Sequence, residues 1–138
     1  MDQQFGMIIG SDITEIPQVS VWLEEVMRGA GFTEEAILDT QLAVEEAITN
    51  VIVHGYKEPG GEVVITCYVS SDCVEVEIAD TAPRFDPLSM PEPDLESSID
   101  KRRIGGLGVF LIRQVMNGVS YRYENGKNIL VMTKNRTS

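Results

Sequence analysis

The sequence predicts an α+β fold: a two-layer α/β sandwich whose mixed, mainly antiparallel sheet is covered on one face by helices. Three observations lead there. Strand-like alternation comes in adjacent pairs, 63–69 with 74–78 and 119–123 with 129–133, which is the pattern of hairpins. Helical spacing occupies two stretches ahead of the first pair and one between the pairs. The chain of 138 residues is 43% hydrophobic and 24% charged, which suits one globular domain over 1–138 with a sizeable core.

Residues 5–9 are a short apolar run ending at Gly10, a first strand. Pro17 is tolerated at a helix start, and Val19, Trp22, Leu23, Val26 and Met27 then share one helical face until Gly29-Ala30-Gly31. Thr33 caps a second helix, with Ala36 where a full capping box would need Glu or Gln. This helix runs through Ile37, Leu38, Gln41 and Leu42 to about Gly55, and a break near Asp39-Thr40 is left open. In the strand from Val63 to Val69, apolar residues fall on both parities, so both faces are candidates for cover. Val74, Val76 and Ile78 alternate with Glu75, Glu77 and Ala79 in a half-exposed partner strand. Residues 81–104 lack periodicity and carry prolines at 83, 87, 91 and 93, a long loop of the kind that usually serves function. Gly105-Gly106-Leu107-Gly108 opens a third helix with Val109, Phe110, Ile112, Arg113 and Met116, and Asn125-Gly126 turns the last hairpin.

The formal charge is −11, which repels nucleic acid and anionic membrane and suits a basic protein partner. No apolar run approaches a membrane span and the first residues lack a basic signal start, so a cytoplasmic protein is expected. Cys67 and Cys73 read as reduced core or strand residues, and a single histidine excludes a His-cluster metal site.

The candidate chemistry starts in the second helix. Glu46, Asn50 and His54 recur at i, i+4 and i+8 on one face of an otherwise apolar helix. Asn50 offers a neutral oxygen that suits Mg²⁺, and Glu46, one turn away, could deprotonate a hydroxyl attacking a terminal phosphate. A solvated polar face explains the same spacing. His54 reads as the structural end of the helix. Asp80 continues the buried parity of Val74, Val76 and Ile78, and could accept a hydrogen bond from an adenine amino group or simply make a turn ahead of Pro83. The glycines at 105, 106 and 108 could seat a phosphate at a helix N-terminus or act as a hinge. Lys101-Arg102-Arg103 could neutralise phosphate or remain solvated.

The order of these signals resembles the ATPase domain shared by gyrase, Hsp90, MutL and histidine kinases, a Bergerat-type ATP-binding fold. Glu46-Ala47-Ile48-Thr49-Asn50 is similar to its N-box, 80–85 to its first glycine box and 105–108 to its second. Within that superfamily the chain most resembles the small anti-sigma-factor serine/threonine kinases, on His54-Gly55-Tyr56, Phe85-Asp86-Pro87 and the run 105–112.

The resemblance implies phosphate transfer from Mg-ATP to a STAS-domain anti-anti-sigma partner, sequestration of a sigma factor, and a homodimer. It implies Glu46 as general base, Asn50 as magnesium ligand, Asp80 as adenine reader and 81–104 as an ATP lid. Ala82, Arg103, Gly105, Gly106, Leu107, Gly108 and Val109 complete the implied nucleotide contacts. Two departures stand out: Ala82 replaces a usual glycine, and Lys127-Asn128 stands where a threonine often lies beside adenine. A non-catalytic ATP-binding module that only sequesters its partner is the alternative, and the presence of Glu46 favours the kinase.

Overall fold

The computed structural model describes residues 2–56, 60–89 and 107–136. Strand β1 is Gln3–Gly10, after which Asp12 accepts the Thr14 N–H and starts a single 3-10 turn. Helix α1, Ile16–Gly29, follows with Pro17 in its first turn, where the missing N–H has no intrahelical partner to lose. Val19, Leu23 and Met27 are its buried stripe, with Trp22 and Val26 half-buried beside them. Gly31 takes φ +85°, a left-handed stop that a residue with Cβ would resist.

Helix α2, Glu34–Asn50, begins where the Thr33 side chain accepts the Ala36 N–H at 3.2 Å. It runs unbroken through Asp39-Thr40: Thr40 is fully buried and its hydroxyl donates to the Ala36 carbonyl at 2.8 Å, inside the helix. Beyond Asn50 the coil widens into one π turn, Val51–Gly55, closed by the Tyr56 N–H on the Val51 carbonyl at 2.8 Å.

Strands β2 (Glu62–Val69) and β3 (Cys73–Asp80) form the first hairpin. Helix α3 is Leu107–Val115, and β4 (Gly118–Glu124) and β5 (Lys127–Asn135) form the second hairpin. Its turn has Asn125 at φ 53° and Gly126 at φ 77°, the two left-handed residues of the tight hairpin turn that an Asn-Gly pair favours. The five strands lie in the order β1-β2-β3-β5-β4, and every pairing is antiparallel.

The described helices pack on one face of the sheet. Val63, Ile65, Cys67 and Val69 of β2 and Val74, Val76 and Ile78 of β3 are buried beneath them. Val64, Thr66 and Tyr68 on the reverse of β2 are half-buried, so among the described residues the second face has no helix over it. Both cysteines are free thiols on strands, and burial pushes the Cys67 thiol up to about 12.

Two basic side chains tie the far end of the sheet to the helices. Lys134 donates to Asp39 of α2 at 2.9 Å and to the Val115 carbonyl at the end of α3 at 2.7 Å. Arg136 donates to the carbonyls of Ala30, Ser70 and Ser71 and lies over the Phe32 ring. The Lys134 contacts fix the C-terminal end of α3, and its N-terminal end faces α2. Arg103, Gly105 and Gly106, and residues 90–104 of the expected lid, lie outside the described residues. No helix among the described residues is long and apolar enough to cross a membrane.

Candidate functional site

A cavity of about 330 Å³ opens between the end of α2, the sheet and α3. That is the low end of the size range for small-molecule sites. Asn50, Val51, His54 and Gly55 form one wall, and Ile78, Asp80, Asn128 and Leu130 of the paired strands β3 and β5 form the floor. Phe85 and Leu88 close a second wall, and Val109 and Ile112 of α3 a third. The lining is largely apolar with a few polar atoms, which suits a flat heterocycle read by one or two hydrogen bonds.

Asp80 lies on the buried face of β3, as its parity with Val74, Val76 and Ile78 requires, and is 6% exposed. Its Oδ1 accepts from the Ala82 N–H at 2.9 Å and from Asn128 Nδ2 at 3.0 Å. Among the described residues its Oδ2 has no protein partner. Burial raises its pKa above the ordinary carboxylate range, opposed by the hydrogen bonds from Asn128 and Ala82. An orphan carboxylate oxygen in a mostly apolar cavity is a ready acceptor for a ligand amine.

Asn50 lines the cavity, and Glu46, one turn earlier on α2, lies beside it where α3 begins. The N-terminal turn of α3 comes against them. A methyl group added at Gly108 would sit 3.1 Å from Glu46 Oε2 and 3.3 Å from Asn50 Nδ2, so only glycine leaves that space open. Burial, and then the charge of Glu45, raise the Glu46 carboxyl above its ordinary range. Glu45 itself faces α1, accepting the Ser20 hydroxyl at 2.6 Å.

His54 is exposed and borders the cavity, since the π turn brings it round with Asn50. The helix end is instead fastened by Tyr56, whose hydroxyl donates to the Glu62 carbonyl at 2.8 Å and accepts the Thr81 N–H at 2.7 Å. Gly55 and Ala82 then meet closely: a Cβ on Gly55 would lie 3.2 Å from the Ala82 methyl. Ala82 is buried there, and its N–H still reaches Asp80. Val109 lines the cavity, and Leu107 is the first residue of α3.

Asn128 stands out in the sequence only as a departure from the family pattern. It shares its strand parity with the buried Leu130 and Met132, and a polar residue in such a row is the signal that would have found it. Its side chain bonds to Asp80, to the backbone of Ala82, Pro83 and Phe85, and to Tyr121.

The donor set fits magnesium in the sparse way that ion is usually held, by one or two protein oxygens beside phosphate and water. Asn50 has such an oxygen, next to the Glu46 carboxylate. Among the described residues no group of three His, Cys, Asp or Glu side chains gathers into a metal cage.

The family model described as a histidine kinase-like ATPase domain matches residues 9–134. A serine-protein kinase RsbW from Listeria monocytogenes serovar 1/2a is 38% identical over 117 residues, covering 81% of this chain and 74% of that protein. The protein of the same name from Staphylococcus aureus strain MRSA252 is 35% identical over 122 residues, covering 84% and 76%. The crystal structure of the RsbU and RsbW domains of Rv1364c from Mycobacterium tuberculosis superposes with a TM-score of 0.68 at 16% identity. That match covers 96% of this chain and 32% of the other, and speaks to the fold alone.

Proposed function

The chain belongs to the histidine kinase-like ATPase domain family, close to the RsbW-type anti-sigma-factor kinases, and from that premise we propose that it moves the terminal phosphate of ATP to a serine or threonine of a protein partner. One observation carries the reading. The start of α3 at Gly108 is set against Glu46 and Asn50, beside a cavity whose floor holds Asp80 Oδ2, without a partner among the described residues.

In this reading the adenine amino group donates to Asp80 and the ring lies between Ile78, Leu130 and Val109. The phosphates leave the cavity toward the N-terminus of α3 at Gly108, and Gly105 and Gly106 take the phosphate role that the resemblance implies for them. Arg103 adds positive charge, Ala82, Leu107 and Val109 border the nucleotide, and 81–104 covers it as a lid. Asn50 would hold Mg²⁺, which when bound neutralises phosphate charge.

Glu46 takes the proton of the partner's hydroxyl as its oxygen bonds to the terminal phosphorus, and the bond from that phosphorus to the bridging oxygen breaks to release ADP. A carboxyl raised by burial is a stronger base than an exposed one, provided it is ionised at the working pH.

The partner class is a STAS-domain anti-anti-sigma protein, with a sigma factor sequestered when that partner is phosphorylated, and the kinase working as a cytoplasmic homodimer. Support is the likeness to RsbW-type kinases, the charge of −11, which favours protein over nucleic-acid partners, and free cysteines that suit a reducing compartment.

The test incubates the protein with Mg-ATP and STAS-domain proteins encoded near it, and follows phosphate by mass spectrometry. The expected result is phosphoserine or phosphothreonine on one partner, lost in Glu46→Ala while nucleotide still binds. ATP binding with no transfer to any partner would favour the purely sequestering module, and equal transfer by Glu46→Ala would overturn the base assignment.

A further inference from the structure

We infer that Asn128 is a positioning residue for the nucleotide, locking Asp80 and the backbone of 82–85 into one unit so that Asp80 meets its ligand with a single, set oxygen. This rests on the nucleotide reading above. Asn128 lies directly opposite Asp80 in the β3–β5 pairing and is 7% exposed. Its Nδ2 donates to Asp80 Oδ1 at 3.0 Å, to the Ala82 carbonyl at 3.0 Å and to the Pro83 carbonyl at 3.3 Å. Its Oδ1 accepts from the Phe85 N–H at 3.0 Å and from the Tyr121 hydroxyl at 2.5 Å.

Three acceptors at one end and two donors at the other fix which end of the amide is which. With both ends engaged inside the protein, Asn128 has no group to spare for a ligand and acts through Asp80. A free carboxylate could turn either oxygen to the cavity. This one has Oδ1 held by Asn128 and Ala82, which leaves Oδ2 to the ligand. The same side chain fastens the chain leaving β3, so the wall that carries Phe85 is set by the residue that sets Asp80. A single hydroxyl, with one proton to donate, cannot span those partners.

Asn128→Asp separates positioning from plain stability. It puts a second carboxylate about 3 Å from Asp80, and two carboxylates that close share a proton rather than both ionise. Protonation restores a donor toward Asp80 at low pH. The neighbouring groups are Tyr121 on β4, Arg84 and Asp86 on the segment after β3, and His54 across the cavity. These groups are the same in wild type and variant, so the quantity read is the ratio of the two dissociation constants at each pH.

The experiment measures ADP binding by calorimetry for wild type, Asn128→Asp and Asn128→Ala at about pH 5.5 and 8.5, with circular dichroism reporting the folded fraction. The expected result is Asn128→Asp weaker by about ten-fold or more at the higher pH and recovering toward wild type at the lower, with Asn128→Ala weaker at both. Tyr121→Phe, which removes one of the donors to Asn128 and spares the amide, is expected to weaken ADP about three-fold and stands in where a variant at 128 is unfolded. Folded Asn128 variants that bind ADP like wild type, an Asn128→Asp deficit that is the same at both pH values, or an unchanged Tyr121→Phe would overturn the positioning role while the nucleotide reading stands. A wild-type protein that binds no adenine nucleotide would overturn that reading and this inference with it.

Discussion

Gly108 faces Glu46 across the junction of α3 and α2 so closely that a Cβ at 108 would meet Oε2 at 3.1 Å. The proposed base is therefore held against the backbone that would seat phosphate, with no side chain between them.

Gly108→Ala tests how much of that space is used. The added methyl would also come within 3.3 Å of Asn50, so both side chains must give by a few tenths of an ångström. Alanine is a better helix former than glycine by about 1 kcal/mol, which offsets the crowding in the folded state. Unfolding free energy by urea titration should therefore change by less than about 1 kcal/mol, while phosphate transfer falls about ten-fold or more. Transfer at the wild-type rate would show that the space is not needed.

Glu45→Gln should move the pH dependence of transfer without removing it. Glu46 is raised by burial first and by the charge of Glu45 second. As a base it works only when ionised, so the rate falls as pH drops through its raised pKa. Neutralising Glu45 removes the second cause, and the acid limb should shift to lower pH with the plateau at higher pH intact. The substituted amide keeps an oxygen for the Ser20 hydroxyl, so the α1–α2 contact is preserved. A pH–rate profile with an unshifted limb contradicts this account of Glu46.

Asp80→Asn should gain stability and lose ligand. An asparagine can keep its oxygen toward the Ala82 N–H and Asn128 while shedding a buried charge. Because the folded pKa of Asp80 is raised, the folded state holds that proton more tightly than the unfolded chain does. The penalty is thus fully present above the raised pKa and fades as pH falls through it. Urea titrations should show the variant more stable by about 1 kcal/mol near neutral pH, the gap closing in acid. ADP binding should weaken about ten-fold or more. A variant less stable than wild type near neutrality would mean that the charge is compensated.

Periodicity carried the element order because each helix and strand announces itself within a few residues. The parity of Val74, Val76 and Ile78 was enough to turn Asp80 inward, and i, i+4 spacing was enough to pair Glu46 with Asn50. The bonds that shape the cavity are of another kind. Asn128 reaches Asp80, Ala82, Pro83 and Phe85 across more than forty residues of chain, and no local pattern encodes which partners a buried amide will find. The π turn after Asn50 was hidden for the same reason: the Tyr56 hydroxyl on Glu62 and Thr81 fastens the helix end from a distance. Thr40, which looked able to interrupt α2, satisfies its hydroxyl on the preceding turn and is packed into the core instead.

The strand order has a consequence for biosynthesis. Strand β5 follows every other described strand in the chain, yet it lies between β3 and β4. A nascent chain that has emerged only as far as Glu124 holds β3 and β4 without the strand that joins them, each with an open hydrogen-bonding edge. It also lacks Asn128 and Leu130, half of the cavity floor. The proposed nucleotide site is therefore incomplete in the early chain, and it closes in the same event that completes the sheet.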